Sequence, residues 1–233
     1  MNRLALASLI LLGAWSTPAA AVTLTLSAAQ VEQARAAGAA MNITDAGYQL
    51  GPYLLRQFNA DVILHPNSPE VDGVVLSTPF EKVQYESYLS HLEAQPLSAA
   101  QATALARQVA NTLSFRIYTH SPFAVDEEGE QWQLAYRTTP VTPPTQRERS
   151  YLDFFRPATL QVGNRTFTAT PVIDGPYVDN FTLPSGRATF RNLGVVTYAF
   201  RGANLPTTGQ FTLAFQDSQG KAYRITGDLA QYR

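Results

Sequence analysis

The most regular pattern in this chain is the alternation of apolar and polar residues between Gly194 and the C-terminus. Apolar side chains fall at every second position in three runs: Val196, Tyr198 and Phe200; Phe211, Leu213 and Phe215; Tyr223 and Ile225. This period is that of a β-strand with one buried face. Asp217 and Gly220 favour a turn between the last two runs. The pattern therefore predicts three C-terminal strands that end in a hairpin on a sheet.

Shorter alternating runs continue this pattern upstream, with turn residues between them. They are Phe115, Ile117 and Thr119; Trp132, Leu134 and Tyr136; Leu160 and Val162; Phe167 and Ala169; Val172; Ala188 and Phe190. The segment Thr138 to Pro144 is rich in Thr and Pro, which predicts a linker or an edge crossing. About seven strands from Phe115 onward is the number in an immunoglobulin-like sandwich. The likeness is one of architecture, because the paired cysteines of antibody domains are missing.

The first half of the chain has helical patterns that begin with capping signals. Leu26-Ser-Ala-Ala-Gln30 and Leu97-Ser-Ala-Ala-Gln101 each match a capping box. Thr78-Pro79-Phe80-Glu81 combines a cap, a first-turn proline and a capping-box acid. We expect the last two helices to form a hairpin that leads into the strand at Phe115. The predicted fold class is therefore α+β: an immunoglobulin-like antiparallel β-sandwich in residues 114–233, with a helix-rich N-terminal portion, residues 22–113, packed on it.

Residues 1–21 have the pattern of a secretory signal peptide. Arg3 precedes an apolar run from Leu4 to Trp15, and Ala19-Ala20-Ala21 provides small residues before a cleavage site at Val22. The alternative is an uncleaved anchor, but the run is shorter than the roughly 20 residues that a spanning helix needs. We therefore expect an exported protein, periplasmic or extracellular, without stable membrane insertion after cleavage.

Net charge and cysteine content exclude several kinds of binding partner and chemical site. Loss of Arg3 with the leader leaves 16 of the 17 basic residues against 18 acidic ones, a net charge of −2. A chain near neutrality without basic clusters is not expected to bind nucleic acid. The chain contains no Cys, which excludes thiolate metal sites, disulfides and Cys nucleophiles.

The three histidines are the first candidates for catalysis. His91 is expected at the exposed end of a helix and His65 in a loop. His120 ends a predicted strand and is followed by Ser121, but no G-x-S-x-G turn surrounds that serine. A hydrolase that uses His120 with Ser121, or with an acid from the Asp126 to Glu130 loop, is therefore the alternative to a binding protein.

The sequence contains no motif typical of a metal site or a phosphate-binding loop. The acidic run Asp126 to Glu130 is explained as a soluble hairpin tip, since its spacing does not match an EF-hand. Asp174, Asp179 and Asp217 each have neighbours typical of turns. No histidine pair has metal-ligand spacing, and no Gly-rich phosphate loop is present. We expect no cofactor and no metal.

Aromatic residues supply the candidate binding surface. Phe154 and Phe155 are adjacent, so in a strand one of them would leave the core unless another element covers it. The segment Ile173 to Gly186 is expected to be a loop that carries Tyr177 and Phe181. Such rings on loops contact proteins or sugars in many non-enzymatic modules. We therefore predict a non-catalytic binding module whose partner is an unknown protein or carbohydrate of the cell envelope. A structural subunit that donates or accepts a strand at a sheet edge is a third possibility.

Overall fold

A computed structural model describes residues 21–41, 51–59, 64–65, 68–138 and 150–233, with the backbone alone for residues 132–138. Within this part of the chain the fold is α+β, with two antiparallel sheets and four α-helices. The predicted leader, apart from Ala21, lies outside the described residues, and so do the apolar residues Val62 and Ile63.

Four α-helices occupy the ranges α1 Ala28–Ala39, α2 Pro79–Leu92, α3 Ala99–Gln108 and α4 Val125–Thr138. The predicted capping boxes of α1 and α3 are both confirmed: Ser27 accepts from the main-chain N–H of Gln30, and Ser98 from that of Gln101. Thr78 caps α2 as predicted. Glu81, expected to complete that cap, instead forms a buried ion pair with Arg116 of the adjacent sheet.

The strands form a five-stranded and a four-stranded sheet, with orders β1-β2-β3-β7-β6 and β5-β4-β8-β9. Their bounds are β1 Leu54–Gln57, β2 Val71–Ser77, β3 Thr112–Ala124, β4 Ala158–Val162, β5 Arg165–Ala169, β6 Pro171–Thr182, β7 Ala188–Arg201, β8 Gln210–Gln216 and β9 Ala222–Asp228. Among the residues that the structure covers, short 3-10 turns lie at Gly51–Tyr53, Tyr151–Phe154 and Leu229–Gln231. All strand pairs are antiparallel.

The C-terminal strand prediction is confirmed. Alternate residues of β8 and β9 are buried and the others face outward. The Gly220 N–H donates to the Asp217 carbonyl at 3.1 Å, which closes the predicted turn. Gly220 has a φ of +83°, a conformation that residues with a Cβ rarely adopt.

One hydrophobic cluster takes side chains from both sheets. The Phe115 ring lies 5.9 Å from the Phe200 ring and 5.5 Å from the Phe211 ring, and Tyr198 lies 6.1 Å from Phe215. Phe115 and Phe200 belong to the first sheet, and Phe211 and Phe215 to the second. Burial of each such ring stabilises the fold by roughly 2–3 kcal/mol, so this cluster contributes strongly to the contact between the two sheets.

Helices α1, α2 and α3 pack together around a second, smaller cluster of Val31, Ala34, Phe80, Val83, Ala102 and Ala106. Gly38 of α1 allows the closest approach to α2, because a Cβ there would meet the main-chain oxygen of Gln84. Tyr85 of α2 packs against the sheet, and the Arg116 guanidinium lies 4.1 Å from the centre of its ring. Arg116 and Ile117 of β3 are both buried, so both faces of this central strand are covered.

Two secondary-structure predictions for residues 126–136 were wrong. The segment with Trp132, Leu134 and Tyr136 lies in helix α4, and Asp126 to Glu130 begins that helix instead of forming a hairpin tip. Acidic residues in a first helical turn are favourable to the helix dipole, and Trp132 and Tyr136 are also four positions apart, a spacing that suits a helix.

The predicted loop from Ile173 to Gly186 is mostly strand β6, paired with β7 along its length. Asp174 and Asp179, explained as turn residues, lie within it. The boundary drawn between residues 113 and 114 falls inside β3, which pairs with β2 on one side and β7 on the other.

Candidate functional site

A cleft of about 770 Å³ opens where β2, β3 and β7 meet the turn between β8 and β9. Its charged and titratable lining consists of His65, Glu70, His120, Arg191, Asp217 and Lys221. Glu70 directly precedes β2, and Asp217 and Lys221 flank the β8–β9 turn. The cleft therefore collects polar groups from both sheets, although they are far apart in the sequence.

His120 is paired with a carboxylate at this cleft. Its Nδ1 lies 2.8 Å from Oδ1 of Asp72, and both residues are buried. A register shift between Val71 and Gly73 makes Asp72 an extra residue opposite β3, and such a bulge redirects a side chain. Asn59 donates from Nδ2 to the same Oδ1 at 2.7 Å and fixes the carboxylate.

The tautomer of His120 follows from this contact. An ionised carboxylate only accepts hydrogen bonds, so Nδ1 carries the proton in the neutral ring and Nε2 keeps its lone pair. No hydrogen bond joins Nε2 to any residue in the described ranges. The His120 ring also packs against Phe181, with 5.5 Å between ring centres. A histidine held in this way can accept a proton or a hydrogen bond through Nε2.

Glu70 joins the two sheets at the cleft. Its Oε2 accepts from the Ser218 hydroxyl at 2.7 Å and its Oε1 from the Ser218 N–H at 3.3 Å. Burial raises the pKa of Glu70 to about 8; the bonds from Ser218 oppose this rise and the charge of Asp217 adds to it. Glu70 is thus largely protonated at neutral pH and contributes little negative charge to the cleft.

Asp217 is fully engaged within the turn. Oδ1 accepts from the main-chain N–H groups of Gln219 and Lys221, at 3.1 and 2.9 Å, and Oδ2 accepts from the Tyr223 hydroxyl at 3.0 Å. Burial and the neighbouring Asp217 raise the pKa of Tyr223. The role of Asp217 as a turn residue is therefore confirmed.

Phe154 and Phe155, two of the predicted binding residues, are buried in the core, at 7% and 4% exposure. The segment forms a 3-10 turn, not a strand: Ser150 and Asp153 make a capping box, and Glu128 of α4 accepts from the Tyr151 N–H at 2.9 Å. Both rings are therefore covered by other elements, which was the condition under which neither would leave the core, and a binding role for Phe154 and Phe155 stays a prediction. In a 3-10 turn, neighbouring side chains need not point in opposite directions, as they do in a strand.

Tyr177 and Phe181, the other two predicted binding residues, lie on β6 and differ in exposure. Tyr177 is 56% exposed and donates its hydroxyl hydrogen to Asp174, and Val172 and Val178 of the same strand are also exposed. Phe181 is buried beside His120. Of the two, Phe181 thus contacts a residue of the cleft, His120, without lining the cleft itself, and a binding role for either ring stays a prediction.

The predicted partners of His120 were wrong. Ser121 is completely buried, and its Oγ accepts from the Phe123 N–H at 3.2 Å. In the acidic run, Glu128 accepts from Tyr151 and from Asn192. The acid at His120 is Asp72, which sequence reasoning missed. The signal was an acidic residue inside the otherwise apolar segment Val71-Asp-Gly-Val-Val-Leu76 of β2.

Three further findings bear on function. Among the residues that the structure covers, no group of three His, Asp or Glu side chains could hold a metal ion. Within the same residues, no helix has the length and apolarity needed to cross a membrane. No protein-family model matches this chain, and no curated protein shows significant sequence similarity to it.

Proposed function

We propose that this is an exported, non-catalytic binding module of the cell envelope that takes a small polar ligand in the cleft around His120. The observation that carries the proposal is the convergence of His120, Glu70, Arg191 and Lys221 from distant segments on one open cleft. A concave site with a few fixed polar groups is the usual form of a ligand site. The leader pattern of residues 1–21 supports export.

The proposed architecture is an immunoglobulin-like sandwich with the N-terminal helices packed on it. Ring contacts between Phe115 and Phe211 and between Tyr198 and Phe215 support facing sheets. The strand order differs from the immunoglobulin arrangement, since β4 and β8 are neighbours and β3 pairs with β7. The likeness we propose therefore concerns the two layers and not the connectivity.

Native mass spectrometry tests the proposed binding. The full chain, expressed with its leader, would be incubated with the low-molecular-weight fraction of a bacterial envelope extract. We expect a small-molecule adduct on the wild type that Gln219→Trp abolishes, because Gln219 lines the cleft and Trp would fill it. Gln231→Trp, exposed and outside the cleft, should keep the adduct. An adduct that survives in both variants would place binding elsewhere.

The same preparation tests export. The mass of the purified protein should correspond to a chain that begins at Val22. A full-length chain confined to the cytoplasm would contradict the export proposal without affecting the cleft.

A secreted hydrolase is the second candidate, favoured by the contact of 2.8 Å between His120 and Asp72 at a concave site. In this arrangement Asp72 orients the ring and Nε2 removes a proton from an attacking water. Hydrolysis of p-nitrophenyl acetate, followed from pH 5 to 9, tests it. His120→Asn should abolish the rate, whereas His91→Asn, at the exposed end of α2, should not. Equal rates in both variants would remove the hydrolase from consideration.

A further inference from the structure

We infer that the ligand of this cleft is a small organic anion, one that presents a carboxylate or phosphate group to Lys221 and Arg191. This inference rests on the proposed function, since it specifies the chemical class that the cleft around His120 would bind. The inference follows from the hydrogen bonds in the cleft: its acidic groups have partners within the protein, whereas its basic groups have few.

The acidic groups of the cleft have their partners within the protein. Both oxygens of Glu70 accept hydrogen bonds from Ser218. Asp217 accepts three hydrogen bonds from its own hairpin, and Asp72 accepts from His120 and Asn59. Glu70 and Asp217 therefore have little capacity left to bind a cation or a hydrogen-bond donor from a ligand, and Asp72 lies behind His120 and does not line the cleft.

The basic groups Lys221 and Arg191 of the cleft, in contrast, form no direct ion pairs with the described residues. The Lys221 ammonium lies 5.5 Å from the centre of the Tyr223 ring, which leaves its three N–H donors unused. Nη1 of Arg191 has one long contact, 3.5 Å, with the Ser121 carbonyl, and its Nε is buried without a hydrogen-bond partner.

Arg191 also has acidic neighbours. Burial lowers the pKa of Arg191, and the carboxylates of Glu127, Glu128 and Asp126 at the start of α4 oppose that effect. Glu128 is engaged with Tyr151 and Asn192. The guanidinium thus remains a cation in a partly buried position, where hydrogen bonds to an anion are stronger than in water.

The shape of the cleft defines the rest of the ligand. Besides the polar groups, the walls contain apolar side chains, among them Leu64, Leu183, Pro122 and Pro184. A volume of about 770 Å³ exceeds that of a bare inorganic ion and suits a small organic molecule. An anionic group at Lys221 and Arg191 with a carbon skeleton against these walls would use both kinds of surface.

Titration of the ¹⁵N-labelled full chain, followed by NMR at constant ionic strength, tests the inference. The probes are citrate as a carboxylate, glycerol 3-phosphate as a phosphate, glucose as a neutral molecule and spermidine as a cation. We expect the amide signals of residues 219–221 and of Arg191 to shift with at least one anion, and not with glucose or spermidine. The two anions show which of the acidic groups the cleft prefers.

Variants assign the effect to the cleft. Lys221→Gln should weaken binding of the anion about tenfold, the usual effect of losing one charge-assisted hydrogen bond. Arg224→Gln removes an exposed charge from the same hairpin outside the cleft and should leave binding unchanged. Lys221 is exposed, so its replacement is not expected to disturb the fold.

The outcomes separate this inference from the proposed function. Shifts at the cleft with glucose or spermidine alone would overturn the anionic class and leave a binding module intact. Equal weakening by Lys221→Gln and Arg224→Gln would show that only net charge matters, and would also overturn it. If no probe shifts these signals, the inference fails, while the mass-spectrometric adduct still decides the proposed function.

Discussion

Glu70 shows how one buried side chain can make the fold sensitive to pH. It is 5% exposed, it lies beside the acidic Asp72 and Asp217, and its carboxyl group binds the turn of the other sheet through Ser218. In the unfolded chain this carboxyl group titrates near its ordinary pKa of 4.5, whereas burial raises its pKa to about 8 in the fold. The folded state therefore favours the protonated form.

The sign of the pH dependence follows from that difference. The stability that Glu70 contributes is fully present below pH 4.5 and is lost as the pH rises toward 8, because the folded state must then bury a carboxylate. Glu70→Gln keeps a neutral group that can bond to Ser218. As the pH rises from 5 to 9, we expect the free energy of unfolding of this variant to increase by about 2–5 kcal/mol relative to that of the wild type.

Urea unfolding at several pH values measures this difference. The exposed Glu93→Gln, at the end of α2, is the matched control and should follow the wild-type profile. A constant difference between Glu70→Gln and the wild type across this range would show that Glu70 is not titrating in the fold.

At the scale of elements, the contact between α1 and α2 depends on a residue that weakens an isolated helix. Glycine in a helix interior costs about 0.5–1 kcal/mol relative to alanine. Gly38 is nevertheless required, because a Cβ would overlap the Gln84 carbonyl and approach Ser87, whose hydroxyl donates to the Arg35 carbonyl at 2.8 Å. Close packing between the helices outweighs helix propensity here.

Two glycine substitutions separate these effects. Gly38→Ala should destabilise the protein by about 1–3 kcal/mol, because the helices must move apart. Gly129→Ala in α4, where an added Cβ would meet no described atom within 4 Å beyond the local backbone, should stabilise it by about 0.5–1 kcal/mol. Thermal unfolding followed by circular dichroism measures both. A stabilising effect of Gly38→Ala would mean that α1 and α2 are less closely packed than described.

At the scale of the whole molecule, β3 connects the helical half with the sheet-rich half. It pairs with β2 on one side and β7 on the other, and its Phe115 ring contacts Phe211 of the second sheet. Because β3 contacts both halves, unfolding of either half would remove contacts that stabilise the other. We therefore expect residues 22–113 and 114–233 to unfold together.

Calorimetry of Phe115→Ala tests this coupling. We expect a single unfolding transition at a lower temperature than in the wild type. Truncation of a buried Phe lowers the free energy of unfolding by about 3–5 kcal/mol. Phe190→Ala removes a ring that is 58% exposed and should have little effect. Two transitions, of which Phe115→Ala displaces one, would instead indicate separate domains.

The sequence by itself determined the elements whose signals are local. The capping boxes at Ser27 and Ser98 and the alternation in β8 and β9 depend on neighbours within a few positions, so they could be predicted. For the segment with Trp132 and Tyr136 the periods of helix and strand both fit, so the sequence pattern did not distinguish them, and the segment is helical.

The tertiary structure alone decided the candidate site. Asp72 and His120 are 48 positions apart, and Glu70 and Ser218 are 148 apart, so no local spacing could pair them. A bulge at Asp72 and the meeting of two sheets bring these groups together. The predicted aromatic residues Phe154 and Phe155 went into the core for the same reason. Whether a side chain is buried depends on the elements that pack against it, and these elements are distant in the sequence.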